Sequence, residues 1–165
     1  MRSALLLSLG LLLAVAESPA ATEPAPSNTP ERLIVPNAPW FPVGEELVYR
    51  IYWGGIPVGA TRITTLWRME EGHKSIVIRY RTLSNKIIDT LYPVNDTIET
   101  VIDPETFLPR RFVKQLNEGR RRCHEITTFD YSNRVAHWES VLKKQKKTFA
   151  LEEDTRDLVS FMYLL

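Results

Sequence analysis

The sequence contains a single cysteine, Cys123, so no disulfide can form within the chain and its fold must be held by its own core. It has little histidine: His73, His124 and His137 are the whole set. None stands in a His-Glu-x-x-His arrangement and no cysteine pair supplies zinc spacing, so no metal site is assigned. His73 falls at an expected turn, and His124 and His137 lie on neighbouring expected strands, where such pairs are mostly incidental. The sequence also lacks a Gly-x-Ser-x-Gly elbow, a phosphate-cradling loop and a dinucleotide fingerprint. Gly54, Gly55 and Gly59 are flanked by strand-like runs and read as turn glycines. No catalytic residue and no cofactor is therefore named. An excess of one charge sign is missing too, with 21 Lys and Arg against 20 Asp and Glu. That balance argues against a nucleic-acid partner, which usually needs a clear basic excess.

What is present begins at the N-terminus. Met1-Arg2 supplies a short positive region, and Ser3 to Ala16 is an apolar run broken only by Ser3, Ser8 and Gly10. Ala14-Val15-Ala16 or Ser18-Pro19-Ala20 offers the small-x-small pattern that signal peptidase needs. The run falls short of the about 20 residues that cross a bilayer. Residues 1–20 are read as a signal peptide, leaving no integral membrane span after cleavage. No cysteine lies near the cleavage region, which closes the lipoprotein route. Residues 21–39, with prolines at 24, 26, 30, 36 and 39, read as a Pro-rich flexible spacer. The folded domain is expected over 40–165.

Within that domain the apolar period is two. Leu47, Tyr49, Ile51 and Trp53 alternate with Val48, Arg50 and Tyr52, the pattern of a strand. Gly54 to Gly59 supplies turn chemistry, and Val58 to Trp67 is expected to pair back as a hairpin. After a turn at Glu70-Glu71-Gly72, Lys74 to Leu83 is a third strand. Ser84 to Pro93 is irregular, with room for one helical turn or a crossover. Val94 to Ile102, Pro109 to Leu116 and Arg120 to Phe129 follow as strands, with turns at Asp103-Pro104 and Asn117-Glu118-Gly119. Arg134 to Trp138 and Val141 to Leu151 complete the series. The fold class expected is all-β: an antiparallel meander curling into a barrel or half-barrel, with a short C-terminal helix capped by Asp154 or Thr155. The last residues form an apolar stripe without a polar closing turn, so a domain incomplete at its C-terminus is expected.

The run Phe41-Pro42-Val43-Gly44-Glu45-Glu46-Leu47-Val48-Tyr49-Arg50-Ile51-Tyr52-Trp53-Gly54-Gly55-Ile56-Pro57-Val58-Gly59 resembles the opening of the domain of unknown function 3108 family. Tyr92 to Thr100, Asp103-Pro104, Phe129-Asp130 and Asp157 to Leu164 fit the same family. The resemblance covers about residues 41 to 165 and implies an exported bacterial β-sheet protein, in the periplasm or secreted, matching the front part of the domain. It implies no activity and no catalytic residues.

The charged groups divide the readings. Asp89, Asp96, Glu99 and Asp103 are close in sequence, but alternation and turn placement make them solvated strand faces. Arg110, Arg111, Lys114 and Arg120 to Arg122 flank one hairpin, and Lys143, Lys144, Lys146 and Lys147 crowd the next. These serve either a positive end for anionic headgroups or, as favoured here, solubility and edge protection. Cys123 reads as a half-buried strand residue whose basic neighbours Arg121, Arg122 and His124 would lower its pKa.

The aromatics are the most suggestive group. Trp40, Tyr49, Tyr52, Trp53, Trp67, Tyr80 and Tyr92 gather in the first half, on both faces of the early strands. Apolar side chains on both faces need a cover on each, or form a concave apolar groove. The favoured reading is a binding or carrier module for a lipid-like or other hydrophobic small molecule, with Tyr49, Ile51, Trp53, Ile63 and Tyr80 as the ligand-binding residues. The alternative is a non-catalytic envelope interaction or scaffolding protein that uses a sheet edge, its protein partner unknown.

Overall fold

The computed structural model describes residue 39 and residues 41–165, and these form one antiparallel sheet of eight strands in the order of the sequence. The expected signal peptide, the spacer (apart from its last residue, Pro39) and Trp40 lie outside the described residues. Strand β1 is Glu46–Trp53, β2 Ile56–Glu70, β3 His73–Ser84, β4 Asn95–Ile102 and β5 Pro109–Glu118. Strands β6 (Arg121–Asp130), β7 (Val135–Ser140) and β8 (Gln145–Ala150) complete the meander. Two short helices interrupt it: α1 (Lys86–Asp89) between β3 and β4, and α2 (Leu158–Met162) after β8. Strands β1 and β8 pair on one side only, so the sheet is an open half-barrel.

Local chemistry fixes the connections. Gly54 (φ 53°) and Gly55 (φ 85°) make the tight turn between β1 and β2 in the left-handed region, which glycine reaches without a Cβ clash. Strand β2 therefore starts at Ile56, earlier than the expected Val58. Asn117 and Glu118 belong to β5, because Glu118 pairs with Arg121 and leaves only Gly119-Arg120 as the turn. The last strand starts at Gln145 and not at Val141. Lys144 takes a φ of 52° and donates its N–H to the Val141 carbonyl, so residues 141–144 turn instead of pairing.

Both helices are held by side chains at their N-termini. Asn85 accepts from the N–H groups of Ile87 and Ile88, and Asp157 from those of Val159 and Ser160. Asp157, not Asp154 or Thr155, is thus the cap of α2. Thr155 is engaged one turn earlier, its hydroxyl accepting from Glu152 N–H at 3.0 Å.

The register sorts the side chains into two faces. On the inner face Ile63, Ile76, Ile78 and Ile102 form the core with Phe41, Phe107, Val159 and Tyr163. Phe41 meets the Tyr163 ring edge-on at 4.8 Å and Phe107 at 6.4 Å. Tyr49, Trp53, Trp67 and Tyr80 share this face, so the aromatics expected on both faces mostly occupy one. On the outer face Val77 and Val101 pair across β3 and β4 and are fully buried. Arginine and glutamate heads on the same face are joined in an ion lattice. Glu99 accepts from Arg68 at 2.8 Å and from Arg79 at 2.6 Å, and Glu70 from Arg68 at 2.6 Å and Arg111 at 2.8 Å.

Candidate functional site

The inner face is roofed at one end only. Phe41 and α2 cover the part of the sheet over Ile76, Ile78 and Ile102. Beyond Tyr163 the same face opens into three cavities in a row. The first, about 440 Å³, lies between the start of β1 and α2, against Leu47, Tyr49, Ile63, Tyr80 and Met162. The second, about 370 Å³, shares Tyr49, Ile63 and Tyr80 with the first and adds Thr61, Ile98 and Leu116. The third, about 530 Å³, shares Thr82 and Asp96 with the second and reaches Ile51, Trp53, Ile88 and Leu91 under α1. The shared walls make one apolar trough from α2 to α1, each section within the size range of small-molecule sites.

All five residues singled out from the sequence lie on this face. Tyr49, Ile63 and Tyr80 meet where the first two cavities join, and Ile51 and Trp53 line the third. Sequence reasoning missed Leu91, Ile88, Thr82 and Asp96. The first two sit in the irregular segment after β3, whose apolar residues were the one available signal. Leu91 remains 81% exposed and Ile87 74%, so this segment presents apolar surface instead of burying it.

One glycine shapes the third cavity. A Cβ on Gly59 would stand 2.4 Å from the Leu83 carbonyl oxygen, so β2 and β3 approach here only because that position has no side chain. Asn85 Nδ2 donates to the Pro57 carbonyl and ties α1 to the same corner. Ser84 donates its hydroxyl to Asp89 at 2.6 Å and accepts the Val94 N–H at 2.8 Å, which closes the connection to β4.

Two phenols in the trough, Tyr80 and Tyr163, are held neutral. Burial raises the pKa of Tyr80, with the neighbouring Tyr49 adding to it. Burial likewise pushes Tyr163 up, reinforced by Tyr80, Glu45 and Tyr49. They can offer hydroxyls and ring faces to a ligand without presenting charge.

Most of the other groups weighed from the sequence are engaged outside the trough. Asp89, Asp96, Glu99 and Asp103 are not a set of solvated carboxylates. Glu99 is buried in the outer lattice, and Asp103 accepts from the Glu105 and Thr106 N–H groups and pairs with Arg110. Lys114 is paired to Glu125 at 2.7 Å and Arg121 to Glu118 at 3.5 Å, so much of the first basic group is neutralised locally. His137 stands opposite Thr128 and His124 opposite Gln115, which separates the two imidazoles along the sheet. Among the described residues no group of three or more His, Cys, Asp or Glu side chains could hold a metal ion. Cys123 is half-buried in β6, but its pKa is raised and not lowered. Burial acts first, and a hydrogen bond to Glu125 outweighs Lys114 and Arg121.

No helix among the described residues is long and apolar enough to cross a membrane. No curated protein and no solved structure is significantly similar to the chain. A family model does match, over residues 48–165, from the third residue of β1 through α2, and so takes in the trough apart from Glu45 and Leu47. The chain belongs to the family described as protein of unknown function (DUF3108).

Proposed function

We propose that the protein is exported to the bacterial envelope and there binds a lipid-like or other hydrophobic small molecule along the inner trough. The carrying observation is the uncovered half of the inner face. Phe41 and α2 roof one end, while beyond that roof Tyr49 stays 55% exposed and Trp53, at the far end, 78%. A ligand laid along Tyr49, Ile51 and Trp53 would remove apolar surface from water at about 25 cal/mol per Å². The signal-peptide pattern of residues 1–20 supports a compartment in which acyl ligands are at hand.

Native mass spectrometry of chain recovered from the periplasm tests this reading. A lipid-sized adduct is expected on the wild type and its loss on Trp53→Ala and Tyr49→Ala. A bare mass under gentle release, with no adduct formed on adding a long-chain amphiphile, overturns it.

A second reading, a non-catalytic interaction or scaffolding protein, draws on a different observation. Every residue of the edge strand β1 is exposed, and it carries no proline and only Glu46 and Arg50 as charges. Edges are ordinarily blunted by charge or proline, as Lys146 and Lys147 do on β8. An open edge of this kind is suited to strand addition by a partner. Crosslinking through a cysteine placed at Val48 would capture such a partner.

A further inference from the structure

We propose that the ligand of the trough carries a positively charged head: a single-chain amphiphile bearing an ammonium group, and not a fatty acid or an anionic phospholipid. This rests on the ligand-binding reading above and narrows it to one chemical class. The ionisable groups among the lining residues decide the sign. Besides the phenols they are Glu45 at the α2 end, Asp96 in the middle and Glu118 at the α1 end, with no lysine, arginine or histidine.

Asp96 is the group placed to receive the head. It lines both the second and the third cavity and is half-buried between them. Its Oδ1 accepts the Asn117 N–H at 2.7 Å, and no cation pairs with it among the described residues. None of the nearby hydroxyls supplies a countercharge. Thr61 and Thr82 bond each other at 2.8 Å, and Ser84 donates to Asp89. Glu118 has Arg121 as a partner, and Lys114, opposite Ile98 on this face, is taken by Glu125.

A half-buried carboxylate without a countercharge, in an apolar wall, favours a cation and repels an anion more strongly than it would in water. Trp53 and Tyr92 line the same cavity, and aromatic rings also attract ammonium groups. The alkyl chain then runs along Tyr49, Ile63 and Tyr80 toward α2. In that pose the head meets acidic and aromatic groups, and the tail meets apolar and neutral ones until it reaches Glu45 at the α2 end.

The test compares three probes of equal chain length, each below its micellar concentration: dodecylammonium, dodecanol and dodecanoate. Binding is read from tryptophan fluorescence and from adducts in native mass spectrometry. Dodecylammonium is expected to bind at least about tenfold more tightly than dodecanoate, the preference shrinking as salt is raised. Asp96→Asn, which keeps the acceptor for Asn117, is expected to bring the two within about threefold. Retained dodecanol binding shows that the variant is folded. Dodecanoate binding as tight as dodecylammonium overturns the cationic assignment and leaves the trough as a site, and a preference that survives Asp96→Asn overturns Asp96 as the group that receives the head. Failure of all three probes to bind overturns the ligand-binding reading beneath it.

Discussion

Thr100, in the middle of β4, donates its hydroxyl to Asp157 Oδ2 at 2.6 Å, while Oδ1 of the same carboxylate caps α2. One buried side chain therefore starts the helix and pins it to the sheet. Thr100→Val keeps the shape and removes the donor, and it should cost about 1–3 kcal/mol because Asp157 stays buried with a partner missing. Urea unfolding measures this. Asp157→Ala should cost at least as much, since the cap is lost as well.

The outer ion lattice makes stability acid-sensitive. Burial alone would raise the Glu99 pKa, but hydrogen bonds and charge from Arg68 and Arg79 overcome it and hold the carboxyl below its usual range. A depressed folded-state pKa means stability that is complete above the ordinary carboxylate range and is lost as pH falls through the folded value. The urea midpoint should thus decline below about pH 4.5, where free glutamate begins to protonate. Glu99→Gln should lower stability at pH 7 by about 2 kcal/mol and flatten the decline. An unchanged slope in that variant would contradict the account.

Core and trough should separate cleanly under mutation. Phe107 is 1% exposed between Phe41 and the inner isoleucines, so Phe107→Ala should cost about 3–5 kcal/mol. Trp53→Ala, at the open end, should cost well under about 1 kcal/mol in unfolding while removing ligand binding. Thermal melts run beside the adduct measurement distinguish the two effects.

Gly59→Ala should destabilise by about 1–3 kcal/mol, because the strands must part to admit the methyl group beside the Leu83 carbonyl. The same displacement should weaken binding in the cavity under α1. Binding left intact in a destabilised variant would show that this corner is only structural.

Cys123 should be a sluggish thiol. With its pKa raised by burial and by Glu125, the thiolate is scarce at neutral pH. Iodoacetamide labelling of the folded chain should lag behind that of the urea-unfolded chain and rise only in alkaline buffer. Glu125→Gln should speed it.

The strand series was legible because alternation is a local signal. Tyr49, Ile51, Ile63 and Tyr80 share a face by parity along their own strands, and antiparallel pairing joined them. Their gathering into a trough was legible to the same extent. What could not be read depends on partners distant in sequence. Glu99 looked like a solvated strand residue until Arg68 and Arg79 came alongside it. The basic neighbours of Cys123 suggested an activated thiol, but alternation turns Arg122 and His124 to the other face. It is Glu125, two residues along, that shares its side. The cap of α2 was placed two or three residues early because Asp154, Thr155 and Asp157 are equivalent by type. Only the contact with Thr100 distinguishes them.

The meander order carries a kinetic consequence. Every strand bonds only to its predecessor and successor, so the sheet can zip from hairpin to hairpin with short loop closures, which is fast for a β topology. The clasp between Phe41 and Val159 of α2 with Tyr163 at its end is different, because it joins segments from either side of the whole sheet. It can close only after the strands between are in place. Folding should therefore show a rapid phase that builds the sheet and a later one that docks α2 on Phe41. Native-state hydrogen exchange should find α2 opening before any interior strand.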